Sequence, residues 1–477
     1  MVFPVQNITV LDPGLGLIQV AATTPLLCGA CSAGTVGQLY SFGSLNMIRS
    51  TLGYGELPDA VARVLREAGG PVLAVRGAGS VAGTLSAVTK TGTTVPSPTI
   101  AGTPTMRTQT RVQVVSGGVL GTATFKFAHD YYVPTQVAPT WSQIRSIPAG
   151  GTYLFPNTGV TMTFPAGSYV TGDTFDFSCE PPHMNAADLA AVAAALAAVP
   201  SIDLKMWGVA GAFLTATEGF AMASALGGQL QTLAAGYRYA RGFCDVGSGD
   251  TSALVLAAKA AFTDRRILDA YGFELCDVVM PFEGYGVTKQ AGVVHMFARA
   301  AASLISTDLA RVASGSLNGC RYIYFDGSQD TTLDAAGIAT LRTWPTLSGF
   351  YIANGNLAAP VGSDFQTLQY GRIMDEACSA AYRSMLPFVA EGLRTVKGSG
   401  VIDPRDAVSV NTAGQSAQDA VLIQPKNARG TAGHVSAVTF AVDTTNNLAA
   451  TSTMQTNIAI QPLGYAKVIM QQLGFTL

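Results

Sequence analysis

Charge is the scarcest feature of this 477-residue sequence. Only 12% of its residues are Asp, Glu, Lys or Arg, about half the share of an ordinary soluble domain. The 28 basic residues are offset by 30 acidic ones, which argues against the basic field that a nucleic-acid binder lays over phosphates. Disorder is excluded from the other side. A disordered chain combines low hydrophobicity with high charge, whereas 48% of these residues are hydrophobic. Long apolar runs are missing too. Pro13 to Ile48 carries no charge, yet polar residues, Gly and Pro interrupt it throughout. Gly219 to Tyr237 has the length of a membrane span but contains Gln229, Gln231, Thr232 and a Gly227-Gly228 pair. A buried amphipathic helix, and no membrane insertion, is the expectation there.

Cysteine is sparse and odd in number, seven in all, so reduced buried thiols are expected rather than a disulfide framework. Cys28 and Cys31 form a Cys-x-x-Cys, but Pro25-Leu26-Leu27 reads as a strand leading in and Ser32 to Thr35 as a loop leading out. A redox pair needs a helix N-terminus to lower its thiol pKa. The pair is therefore read as small residues at a strand end. Basic residues are absent from Met1-Val2-Phe3-Pro4, which argues against a secretory signal. The thin surface charge leaves two explanations open: a compositionally biased source, or a surface covered by copies of the same chain.

What the sequence does contain is alternation. Residues 1–20 read as an extended arm that slips phase near Gln6-Asn7 and ends at the Asp12-Pro13-Gly14 turn. Ala21 to Ala30 and Val72 to Val75 read as strands, and Leu45 to Leu52 as a helix. Pro58 to Ala68 reads as a second helix with Val61, Val64, Leu65 and Ala68 on one face, stopped by Gly69-Gly70. From 84 to 182 Thr, Gly, Ser and Pro dominate short alternating runs such as Val160 to Phe164, predicting an all-β insertion. Asn185 is placed to cap a helix over Ala186 to Val199. Strand and helix then alternate: Leu204–Ala212 and Thr217–Tyr237, Phe243–Val246 and Thr251–Phe262, Leu275–Met280 and Ala291–Ser306, Tyr322–Phe325 and Leu333–Leu341. That order predicts a layered α/β core with a largely buried sheet. Further on, Phe365 to Glu391 reads as helical, 395–407 as a connector, Ala417 to Leu422 as a short segment of uncertain type, Val435 to Val442 and Gln455 to Gln461 as strands, and 464–477 as a tail. The fold class is thus α/β: a layered core in two parts (21–83 and 183–360), an outward-facing all-β insertion (84–182), a C-terminal α+β domain (361–455), and extended N-terminal (1–20) and C-terminal (456–477) arms.

Catalytic patterns are few. Gly77 to Gly83 resembles a dinucleotide-binding turn, but that motif needs a following helix, and Thr84 to Thr89 favours a strand. There is no phosphate-binding Gly-x-x-x-x-Gly-Lys-Ser/Thr loop and no Gly-x-Ser-x-Gly elbow. The histidines His129, His183, His295 and His434 are far apart, with no His-x-x-x-His pair. His129-Asp130 reads as part of a surface strand, and Asp173, Asp176 and Glu180 as a solvated turn rather than a cation site. No catalytic residue, metal or cofactor is expected.

Certain patches resemble the contractile tail sheath proteins of bacteriophages and related injection machines. They are Asp12-Pro13-Gly14, then Leu52 to Gly55 with Pro58 to Arg76, and Gly371-Arg372-Ile373-Met374-Asp375. Thr444 to Asn447, Asn457 to Pro462 and Tyr465 to Ile469 complete the order. The aromatic-acidic Phe-Glu-Pro-Asn stretch of many members is lacking. The resemblance implies a non-enzymatic subunit that stacks as six-fold rings around an inner tube and contracts. Its arms would be exchanged with neighbouring copies. Arm contacts would fall at Val5, Ile8, Val10, Ile458, Ile460, Val468 and Ile469, and tube-facing positions at Arg383, Arg394 and Lys397. Implied partners are further copies of the chain, the tube protein, and baseplate and tail terminator proteins, with no nucleic acid. The implied location is a virion tail assembled in the bacterial host cytoplasm. The alternative reading is an α/β nucleotide-binding enzyme using the Gly77–Gly83 turn.

Overall fold

The computed structural model describes residues 24–94, 97–132, 138–360 and 362–467. The whole of the expected N-terminal arm, with Val5, Ile8 and Val10, lies outside the described residues, as do Val468 and Ile469. At the centre is a six-stranded sheet in the order Ile267–Ala270, Arg241–Asp245, Leu204–Val209, Thr24–Gly29, Val72–Arg76, Leu39–Phe42. All neighbours are parallel except the last pair. Successive strand residues face opposite sides, and both sides are apolar. Leu27, Ala74 and Phe243 pack under the Glu56–Ala68 and Val293–Ala302 helices, while Leu26, Leu73 and Trp207 pack under the Leu189–Ala197 and Ala216–Ala235 helices. Burial on two faces explains the near-continuous apolar runs of these strands.

The local signals mostly act as read. The Glu56–Ala68 helix ends where Gly69 takes a left-handed φ of 67° and returns its N–H to Leu65 O, a conformation that costs glycine least. Asn185 caps its turn with a reciprocal bond to Asp188. The Gly219 to Tyr237 stretch forms the Ala216–Ala235 helix, and among the described residues no helix is long and apolar enough to cross a membrane.

The insertion is all β. Its strands run from Thr84–Leu85 to Thr174–Glu180 and form two sheets around Phe125, Phe127, Phe155, Phe164, Phe175 and Phe177, all buried. His129 and Asp130 are buried rather than on a surface strand, 1% and 4% exposed. The ring of His129 packs against Phe127 and Phe155.

Three expectations fail for identifiable reasons. Leu275–Met280 belongs not to the parallel sheet but to a hairpin, Phe273–Phe282 with Tyr285–Ala291, which pairs with Cys320–Ile323. The turn is set by Gly284 at φ 71°, and the true edge strand of the parallel sheet is the four-residue Ile267–Ala270. Leu333–Leu341 is not one helix: a single turn at Thr332–Ala335 stops before Gly337, φ 82°, and Leu341 opens a strand. The 395–407 connector runs into a helix, Pro404–Gln418, which Asp403 caps from before the proline. That helix continues through a π-turn at Asp419–Ile423, where the short Ala417 to Leu422 segment had been read.

Candidate assembly surface and buried polar centre

The C-terminal region packs the Leu368–Met385 and Pro404–Gln418 helices against an antiparallel ribbon, Val435–Val442 with Thr456–Pro462. Alternation places Val435, Val438, Phe440 and Val442 inward and leaves Ala437, Thr439 and Ala441 exposed. Ile458 and Ile460 are half-buried against Leu422, Phe440 and their neighbours in the same chain. The two edges of the ribbon differ. Along Val435–Val442, Phe440 N–H donates to Gln415 Oε1 at 2.8 Å and Val442 N–H to Asn411 Oδ1 at 2.7 Å, while Gln415 Nε2 donates to Val438 O at 3.1 Å. Asn411 and Gln415 are four apart and so share a helix face. Among the described residues no strand pairs with the outer side of Thr456–Pro462.

The Gly371-Arg372-Ile373-Met374-Asp375 stretch fastens this region to the core. Asp375 receives two bonds from the buried guanidinium of Arg241, at 2.7 and 2.6 Å. Arg241 also donates to Gly371 O at 2.9 Å, and a Cβ at Gly371 would lie 2.8 Å from that guanidinium. Arg372 donates to Ser303 O at 3.1 Å, and Ile373 joins the apolar cluster. Lys205 pairs with Glu376, and His434 Nδ1 lies 2.8 Å from Ser306 Oγ. Beyond the ribbon the chain returns across this seam. Tyr465 donates to Ser306 O, and Lys467 meets Asp308 and Asn354. Of the basic candidates, Arg383 pairs with Asp203 and Arg394 with Asp406, both at exposed positions, and Lys397 is exposed.

The Gly77–Gly83 turn does not open a helix; Thr84–Leu85 follows as a strand. A Cβ at Gly77 would meet Met184 Sδ at 2.3 Å, and Val81 bridges to His183. Close approach of the two chain passes into the insertion therefore accounts for these glycines. Asp173, Asp176 and Glu180 are each separately engaged. Asp173 accepts from Thr93 and Thr94 N–H, while Arg111 holds Asp176 and Arg107 holds Glu180. Cys28 accepts a hydrogen bond from Trp207 Nε1, and burial pushes its thiol up to about 12 and that of Cys31 to about 11. Neither thiol is activated.

One polar centre escaped the sequence reading because its members lie on four elements with no regular spacing. Glu274 and Cys276 sit two apart on one face of the Phe273–Phe282 strand, beneath His295 of the Val293–Ala302 helix and Arg63 of the Glu56–Ala68 helix. All four side chains are buried. His295 Nδ1 contacts Glu274 Oε1, Gln290 Nε2 donates to the same oxygen at 2.7 Å, and Arg63 lies 2.8 Å from His295 Nε2 and 3.0 Å from Cys276 Sγ. Burial opposes the Glu274 charge, yet the adjoining His295 and Arg63 hold its carboxyl below the usual range.

With its doubly covered core sheet, all-β insertion and C-terminal ribbon, the chain shares its fold with a solved helical sheath protein. The helical sheath of the anti-feeding prophage in its contracted state is similar over 99% of both chains, with a TM-score of 0.53 and 11% identity. Sheath tail proteins from Listeria innocua (TM-score 0.48, 11% identity, 94% of each chain) and Desulfitobacterium hafniense (0.45, 12%, 96% of this chain and 100% of that one) are also similar. The family described as DUF2586, N-terminal domain, matches residues 5–356, and the chain belongs to it. No curated protein matches the chain.

Proposed function

We propose that the chain is a structural subunit of a contractile tail sheath, which polymerises as stacked six-fold rings around an inner tube and contracts to drive that tube through a target envelope. The observation that carries this reading is the likeness to a helical sheath protein over 99% of both chains. The open Thr456–Pro462 edge adds a physical means of linkage, since unpaired backbone N–H and C=O groups are a template for a strand from another copy. In this reading Val5, Ile8 and Val10 of one copy, or Val468 and Ile469, pair along such edges. Ile458 and Ile460 lie on the receiving strand and belong to the same contact between copies. Arg383, Arg394 and Lys397 face the tube, and the insertion points outward. The partners are further copies, the tube protein, and baseplate and terminator proteins. The product is a virion tail or related injection particle, assembled in the host cytoplasm and without enzymatic activity.

Negative-stain micrographs of the purified protein test the assembly directly, and striated cylinders are expected. Deleting residues 1–12 or 464–477 should abolish them while circular dichroism stays that of the folded core. Long tubes from both truncated chains would refute arm exchange.

A further inference from the structure

The buried polar centre goes beyond sheath assembly. Glu274, Cys276 and His295 bring a carboxylate oxygen, a sulfur and a ring nitrogen within 4.8 Å of one another. Ligands that surround one ion at bonds of about 2.0–2.3 Å lie at comparable separations. Backbone geometry fixes the arrangement. Residues 274 and 276 share a strand face, and the neighbouring Cys320–Ile323 strand pairs alongside them. His295 descends from the helix above. Glu274 Oε2 is buried without a hydrogen-bond partner, which is costly for a carboxylate unless something else satisfies it.

The surroundings are those of an outer shell. Gln290 Nε2 orients Glu274 from the neighbouring strand at 2.7 Å, and Asn318 O lies 3.0 Å from His295 Nε2, where a carbonyl fixes the ring with Nδ1 turned towards Glu274. Arg63 Nη2, 3.0 Å from Cys276 Sγ, is held by Asp277 O at 2.6 Å. It would act as an N–H donor to a thiolate rather than compete with a ligand.

We propose that Glu274, Cys276 and His295 bind a zinc-class divalent transition-metal ion that pins the three-stranded sheet to the two helices above it. Sulfur, imidazole nitrogen and carboxylate oxygen are all donors that zinc accepts. Ligation deprotonates the Cys276 thiol on binding.

Elemental analysis of the untagged full-length protein should find close to one zinc per chain. After chelation, cobalt(II) should restore a thiolate-to-cobalt charge-transfer band. Cys276→Ser and His295→Gln should each lose the zinc and the band, whereas Cys31→Ser, distant from the centre, should keep both. The proposal is overturned if folded wild-type protein contains no zinc and gives no cobalt band. It is equally overturned if Cys276→Ser, shown folded by circular dichroism, retains full zinc. Tube formation is scored separately on the same samples, so loss of metal and loss of assembly are distinguished.

Discussion

Two modules hang on the α/β core, and they are built in opposite ways. The insertion closes on itself: six phenylalanines fill its interior, and polar groups such as Arg107 with Glu56 and Arg145 with Glu283 tie its rim to the core. The C-terminal region divides its apolar contacts between two small clusters. It is fastened by buried ion pairs and keeps one strand edge unpaired among the described residues. A module with a full interior is stable by itself, whereas a two-stranded ribbon is marginal until more strands or helices cover it. The difference suits the division of labour proposed above, in which the first module would be carried and the second would link copies.

The sharpest separation of the two should come from Phe155→Ala. It opens a cavity in the insertion and should cost about 3–5 kcal/mol. Hydrogen exchange should show lost protection confined to 84–182, with cylinders still forming. Cylinders lost together with insertion protection would show that the modules are coupled. Asp375→Ala should be comparable or slightly smaller in cost, about 3–5 kcal/mol, because it leaves the Arg241 guanidinium buried without its partner. Here protection should fall at the C-terminal helices, and assembly with it.

Acidification should distinguish the modules more gently. Burial pulls His129 down to about 3, and burial with the nearby Arg372 lowers His434. Both folded pKa values lie below the unfolded histidine value near 6.5. The unfolded state therefore binds more protons, and stability present above that value falls as the pH drops. For the insertion the loss should continue down to about pH 3. Denaturant midpoints of wild type and His129→Gln should diverge across that window; identical slopes would remove His129 as the cause. The smallest effect should be that of Arg383→Ala. Its exposed pair with Asp203 is worth at most about 1 kcal/mol, so melting should barely move. A marked loss of tube binding in co-sedimentation would then mark that face.

Legibility in the sequence followed the range of the interactions. The Leu45–Leu52 helix, the Gly69 stop and the Val435–Val442 strand could be read because periodicity, caps and turns act within a few residues. Ile267–Ala270 could not: four residues give too little pattern, and their place at the sheet edge is set by pairing with Arg241–Asp245. The Pro404 helix was hidden because its Asp403-Pro404 start reads equally as a turn. Low charge left a biased source and a surface covered by copies both open, and did not say which edge remains open. That was decided by Asn411 and Gln415 reaching across to one strand and not the other.

The sequence by itself determined the α/β alternation, the all-β insertion and the ordered C-terminal patches, because local stereochemistry and burial period are written into neighbouring residues. Only the tertiary structure could bring Arg63, Glu274, Cys276 and His295 to one point, or set Arg241 against Asp375. Long-range contacts depend on how strands register and helices pack, and no spacing along the chain records that.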